Sequence, residues 1–389
     1  MPLAVYILGV SAFALGTSEF MLTGLLPLIA EDLGVSIPSV GLLVSAFAVG
    51  MTVGAPLLAA GTLKLPPRAT MAGFLVVFAL GHVVGAVTDS YAVLFASRVV
   101  SALACAGFWA VGAATAVALV PPDRRGRAMA VLVGGLTVAN ILGVPAGALV
   151  AQHSSWRMAF WGVAGTAVLA LAGVLRMVPR RSSGTAAVPR LRPELRAYSN
   201  STVWLALATT SLSSAGVFCT FSYLAPVLTD EAGLPSSWVP GALFLFGIGA
   251  FVGITLGGRF ADARPFGVLK AGIGGLFALM CAVALVPGPV LMVALVFLLG
   301  VAGFVISPAL NARVYAVAGA APTLAGATNV SAFNVGNMVG PWLGGLVIGA
   351  GFGYASVGWV GAGLCVSAFV LVLLSQQAAR GTALPAEAR

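Results

Sequence analysis

Glu19 and Arg98 are the two charged residues of this 389-residue chain that stand deep inside long apolar runs. A charge at the centre of a bilayer costs roughly 2.5–3.5 kcal/mol on insertion scales, so such residues are retained for a partner or a function. Two chemistries fit them. One is a fixed ion pair that positions two helices. The other is proton coupling. Burial favours the neutral form of a carboxyl, and a nearby guanidinium favours the ionised form. A carboxyl whose surroundings change with conformation can therefore load a proton on one side of a membrane and release it on the other. His82 lies alone in a third apolar run. It reads as a hydrogen-bonded packing residue or as a proton relay near neutral pH. Asn140, Asn334 and Asn337 read as interhelical hydrogen bonders or as the lining of a polar cavity. Phe20, Phe108, Trp109, Phe218, Phe221 and Tyr223, with Phe244, form an aromatic set suited to a small-molecule pocket that is mostly apolar with a few polar groups.

Other chemistries lack their residues. There is no nucleotide-binding loop, no HExxH and no nucleophile beside a histidine. The chain is therefore not expected to be an enzyme, and no metal or cofactor is expected. Cys105, Cys219, Cys281 and Cys365 show no CxxC spacing and sit in apolar runs, which predicts buried free thiols.

The elements that must position Glu19 and Arg98 are membrane helices. Charged residues make up 7% of the chain and hydrophobic ones 60%, with a mean hydropathy of +1.07. An ordinary soluble domain is about 25% charged. A spanning helix needs roughly 20 apolar residues. Twelve such runs are predicted, at about 3–30, 38–60, 69–88, 90–119, 128–151 and 157–178, then 201–226, 237–258, 267–286, 290–310, 325–350 and 354–375. The first lacks a basic leader, so it reads as a retained helix. Two six-helix halves, 1–178 and 201–378, flank an arginine-rich linker, 179–200, and 379–389 form a tail. With both termini in the cytoplasm, every Lys and Arg except Arg98 and Arg157 falls on the cytoplasmic side. That bias sets orientation. It explains the net charge of +9 without nucleic acid. In this frame Glu19 lies about 16 Å and Arg98 about 12 Å from the opposite face, at 1.5 Å per residue.

The halves repeat. At a shift of 199 residues Pro27 meets Pro226, Glu31-Asp32 meets Asp230-Glu231, and Gly34, Gly50 and Gly54 meet Gly233, Gly249 and Gly253. At 197, Asn140, Gly143 and Gly147 meet Asn337, Gly340 and Gly344. Parallel repeats predict a transporter with its site between the halves. The partner of Glu19 is Phe218, so any proton chemistry belongs to one half. A channel would share the hydropathy but not the repeat or the single buried acid.

Several motifs carry a resemblance to the major facilitator superfamily. Gly257-Gly258-Arg259-Phe260-Ala261-Asp262-Ala263-Arg264 is similar to its cytoplasmic signature, with Asp262 and Arg264 as the pair that locks one conformer. The first-half counterpart has Leu63 where an acid is expected. Leu94 to Arg98 resembles the family's arginine motif. Gly143-Val144-Pro145-Ala146-Gly147 resembles the antiporter motif of drug exporters, repeated at Gly340-Pro341. Residues 16–27 and 154–161 resemble twelve-span drug:proton antiporters, among them the actinomycete chloramphenicol-resistance exporters. The resemblance implies an all-α major facilitator fold and a monomer in a bacterial inner membrane. It implies proton-coupled export of small amphipathic drugs such as chloramphenicol, with sugar, nucleoside or purine export as the alternative.

Overall fold

The computed structural model describes residues 1–62, 65–180, 200–261, 263–285, 288–318 and 322–383. Residues 181–199 of the linker, Leu63, Lys64, Asp262 and residues 384–389 of the tail lie outside the described residues. Among the described residues there are twelve long helices: α1 (Leu3–Phe20), α2 (Ile37–Gly61), α3 (Pro67–Val87), α4 (Tyr91–Ala118), α5 (Arg125–His153), α6 (Trp156–Met177), α7 (Ser201–Ser222), α8 (Val239–Ala261), α9 (Pro265–Ala284), α10 (Pro289–Ala318), α11 (Pro322–Gly349) and α12 (Ser356–Ala383). Eleven are long and apolar enough to cross a membrane. The exception is α11. Its 28 residues span about 42 Å at 1.5 Å each, but Asn329, Asn334 and Asn337 dilute its apolar character. It is the polar member because it faces protein on several sides.

Local chemistry sets the helix starts. Ser36, Ser155 and Asn200 cap α2, α6 and α7 by accepting from the N–H of Ser39, Arg157 and Thr202. Prolines open α3 and α9, where a missing N–H costs nothing. Outward faces stay apolar, as at Leu80, Leu169 and Val290. Such exposure suits lipid, which makes no demand for polar groups. Cys105, Cys219 and Cys365 are buried free thiols, and Cys281 is half-buried.

The packing has the internal repeat seen in the sequence. In the first half α1 lies against α5 and α6, α2 against α4, and α3 against α4 and α6. In the second, α7 lies against α11 and α12, α8 against α10, and α9 against α10 and α12. The halves meet along α2 with α11 and along α5 with α8. Glycines permit these approaches. A methyl group on Gly340 would strike the backbone of Ala215 and Cys219 in α7, and one on Gly247 would strike the backbone of Asn140 and Ile141 in α5.

Candidate functional site

The site begins where α1 stops being an α-helix. Glu19 and Phe20 occupy its last turn, and Met21–Gly24 continue as a 3₁₀ turn. Pro27 has no N–H for the Thr23 carbonyl, so a regular helix cannot run through. The second half breaks at the equivalent place. There α7 ends at Ser222, Leu224–Pro226 follow, and Val227–Glu231 form a π turn. The two breaks put Glu19, Phe20 and Phe218 in the middle of the structure.

Arg98 is almost wholly buried on α4, 1% exposed, yet Glu19 is not its partner. Among the described residues the ion pairs involve Asp32, Asp89 and Asp123, none of them in a helix core. Instead Arg98 Nη1 donates to Ser18 Oγ (2.8 Å) and Nη2 to the Ser18 carbonyl (2.9 Å). Its guanidinium lies 4.4 Å from the centre of the Phe47 ring, a cation–π contact. Its Nε has no hydrogen-bond partner among the described residues. The fixed ion pair is thus not formed here, and the carboxyl of Glu19 makes no hydrogen bond among the described residues.

His82 completes the cluster. Its Nε2 is 2.6 Å from Ser18 Oγ, and its Nδ1 is 2.8 Å from the Phe78 carbonyl. A carbonyl only accepts, so Nδ1 carries the proton and Nε2 accepts from the Ser18 hydroxyl. Ser18 then donates to His82 and accepts from Arg98. The ring also packs on Phe78 (4.3 Å) and Phe160 (5.7 Å). This is the hydrogen-bonded packing role, linked to Arg98 through one hydroxyl. The sequence reading missed Ser18 and Phe47. Ser18 lay inside the 16–27 motif, but nothing in residue type marked it as the partner of Arg98.

Next to Glu19 lies a small cavity of about 10 Å³ between the halves, walled by Phe20, Phe47, Phe218, Asn334 and Asn337, with Val44 and Ala48 beside them. Phe20 and Phe218 stack across the halves with ring centres 5.5 Å apart. A volume of this size holds at most about one water. Drug-sized ligands need roughly 300 Å³ or more, so a larger molecule enters only when the halves move apart. The remaining members of the aromatic set do not line this space. Phe221 stacks on Phe246 (4.3 Å), and Phe108 is fully buried. Trp109 is half-buried, and Phe244 is 38% exposed. Tyr223 donates to the Pro341 carbonyl (2.8 Å) and fills the gap left by Gly41, Gly344 and Gly345 at the α2–α11 seam. Asn140 sits at the α5–α8 seam with Nδ2 bonded to the Leu136 carbonyl (3.2 Å).

The motif residues shape the walls. Pro145 cannot donate to the Ile141 carbonyl, and Ala139–Gly143 form a π turn before it. Gly143 lies so close to Thr17 of α1 that a side chain would collide with it, whereas Gly147 faces Met21 with ordinary spacing. Gly258 and Arg264 are exposed at the α8–α9 end.

The face opposite the chain termini is tied shut. Gln152 Nε2 donates to the Ser236 carbonyl (2.6 Å), joining the halves. Arg157 bridges Asp32 and Asp89 and stacks over Trp156, whose Nε1 also donates to Asp32. The Arg157 hydrogen bond holds the Asp32 carboxyl below its ordinary range. In the second half Glu231 receives the N–H groups of Tyr354 (2.7 Å) and Ala355 (3.3 Å) at the start of α12. At the terminal face α4 and α10 are not among the closely packed pairs of described residues.

Comparison with known proteins places this architecture. Residues 8–332 match the model of the Major Facilitator Superfamily. The chain is 45% identical, over the whole of both chains, to a chloramphenicol resistance protein of Streptomyces lividans. It is 37% identical to the inner membrane transport protein YdhP of Escherichia coli (strain K12), over 95% of this chain and 94% of that one. Among solved structures, the nucleoside transporter NupG superimposes with a TM-score of 0.77 at 15% identity, covering 96% of this chain and 98% of that one. That likeness concerns the fold alone.

Proposed function

The chain belongs to the major facilitator superfamily, and on that premise we propose that it is a proton-coupled exporter of small amphipathic drugs of the chloramphenicol type. One observation carries the coupling: Glu19 is the only acid of the sequence inside a span, and it borders the cavity between the halves. The Streptomyces lividans relative supports the cargo. In this reading the two termini and the linker 179–200 face the cytoplasm of a bacterial cell membrane. The six-helix units 1–178 and 201–378 rock about the α2–α11 and α5–α8 seams. The tied face is the external one, so the structure represents a state closed to the outside. Opening the other side parts Phe20 from Phe218 and admits drug beside an ionised Glu19. Opening to the outside releases drug and lets Glu19 take up a proton. The machinery is complete in one copy of the chain.

Drug accumulation in cells tests the cargo. Cells making the protein are expected to hold less chloramphenicol than cells without it, and cells making Glu19→Gln are expected to match cells without it. Equal accumulation in all three, with efflux of a sugar or nucleoside instead, would move the assignment to the alternative cargo.

A further inference from the structure

Asn334 has a buried oxygen with nothing to bond. The residue is 5% exposed and lines the cavity. Its Nδ2 donates to the Val330 carbonyl one turn back (3.0 Å), which fixes the amide, since a carbonyl can only accept. Oδ1 is therefore the end left over, and it is closed off from solvent without a donor. Buried amide oxygens are nearly always bonded, so this one marks a place for a ligand.

Asn337 is the complement. It sits three residues on, on the same face of α11, where side-chain bases are about 5–6 Å apart. Its Oδ1 accepts from the Ser214 hydroxyl (2.6 Å), which leaves Nδ2 as the free end. Its Nδ2 has no acceptor among the described residues. Pro341 has no N–H, so the backbone carbonyl of Asn337 also lacks its usual i+4 donor. Thus α11 offers one acceptor and one donor, a helix turn apart, to a space otherwise walled by Phe20, Phe47 and Phe218.

We propose that Asn334 and Asn337 together read a single alcohol group of a neutral aromatic cargo. An alcohol carries donor and acceptor on one atom. Its hydrogen goes to Asn334 Oδ1, and its oxygen receives Asn337 Nδ2. A secondary amide puts its N–H and C=O on opposite edges and does not fit the pair. A lipophilic cation without a hydroxyl leaves both amides unpaired. A terminal alcohol is the one that reaches this narrow space, with the ring stacked between Phe20 and Phe218. The inference rests on the export reading above and assigns discrimination to α11, away from Glu19.

Thiamphenicol and florfenicol differ only in the terminal alcohol, which florfenicol replaces with fluorine. Binding of both to the purified full-length protein, followed by tryptophan fluorescence, is the test. The wild type is expected to favour thiamphenicol about tenfold or more, because a site built to bond a hydroxyl rejects the analogue lacking it. Asn334→Leu is expected to lose that preference while keeping its affinity for florfenicol, which also shows that the variant is folded. Asn334→Thr, which restores an acceptor oxygen, is expected to recover part of it. An unchanged preference in Asn334→Leu, or none in the wild type, overturns the proposal while leaving the export reading intact. Failure of the wild type to bind either compound overturns both.

Discussion

The two halves share a plan and differ in polarity. Each breaks its first helix at a proline, Pro27 or Pro226, and each ties the residue after that break to the start of its sixth helix. The first half makes the tie with Asp32, Trp156 and Arg157, and the second with Glu231 and the N–H groups of Tyr354 and Ala355. Gly50 of α2 packs against α4 as Gly249 of α8 packs against α10. At the centre the likeness ends. The first half buries Ser18, His82 and Arg98 beside a half-buried Glu19. The second has Val217 and Phe218 opposite Ser18 and Glu19, and an uncharged seam of hydroxyls and amides between α7 and α11. Phe297, which meets Arg98 at the shift of 199, carries no charge. A common scaffold thus holds charge on one side and neutral hydrogen bonding on the other. In the proposed exporter, the like scaffold would let the halves rock, and the unlike centres would confine the coupled proton to the first half.

The largest effect tests whether the charge can be moved. In Glu19→Gln/Phe218→Glu the acid is transferred to the matching position of the second half. Drug efflux from cells is expected to stay at the level of cells without the protein, because among the described residues no guanidinium stands beside residue 218, and the Phe20 stack is lost. Recovery of efflux would show that the halves are interchangeable.

Next in size is a buried hydroxyl on the first helix of each half. Ser18→Ala strands Arg98 Nη1 and His82 Nε2, and is expected to cost roughly 2–3 kcal/mol of stability in a detergent melt. Thr220→Val in the second half removes a hydroxyl bonded only to Met280 Sδ and the Val357 carbonyl, and is expected to cost under about 1 kcal/mol. Equal losses would contradict the distinction.

The matched glycines are expected to diverge as well. Gly344→Ala crowds the Tyr223 ring and the Cys219 carbonyl and is expected to cost about 1–3 kcal/mol, whereas its counterpart Gly147→Ala has room beside Met21 and is expected to be near neutral. Melting temperatures of the two variants measure this.

The smallest effect belongs to the closed face. The Asp32 carboxyl is held below its ordinary value of 3.8 by Arg157, so its contribution is complete above that value and is lost as pH falls through the lower folded one. Melts of wild type against Asp32→Asn are expected to converge in acid, by under about 1 kcal/mol because the pair is exposed.

Much of this was legible in the sequence. Hydropathy and the Lys and Arg pattern point to twelve spans, and the 199-residue shift pairs Pro27 with Pro226, but the runs 3–30 and 201–226 read as unbroken helices, whereas α1 ends at Phe20 and α7 at Ser222. Glu19, Phe20, Phe218, Asn334 and Asn337 were all named and do meet at one cavity. What the sequence left open is rotation about each helix axis. Ser18 and Glu19 have the same depth but point about 100° apart, and that turn decides which one Arg98 touches. The same ambiguity hid Phe47 and grouped Phe108, Phe221 and Tyr223 with Phe20 and Phe218. Composition could mark α11 as polar. Only the paired bonds to Val330 and Ser214 reveal which end of each amide is free.

Proton release is the most direct test of coupling through one half. Purified protein in weakly buffered detergent solution receives chloramphenicol while the pH is followed. The wild type is expected to release protons on binding, and Glu19→Gln is expected to bind the drug and release none. Equal release from both would contradict the assignment of the coupled proton to Glu19.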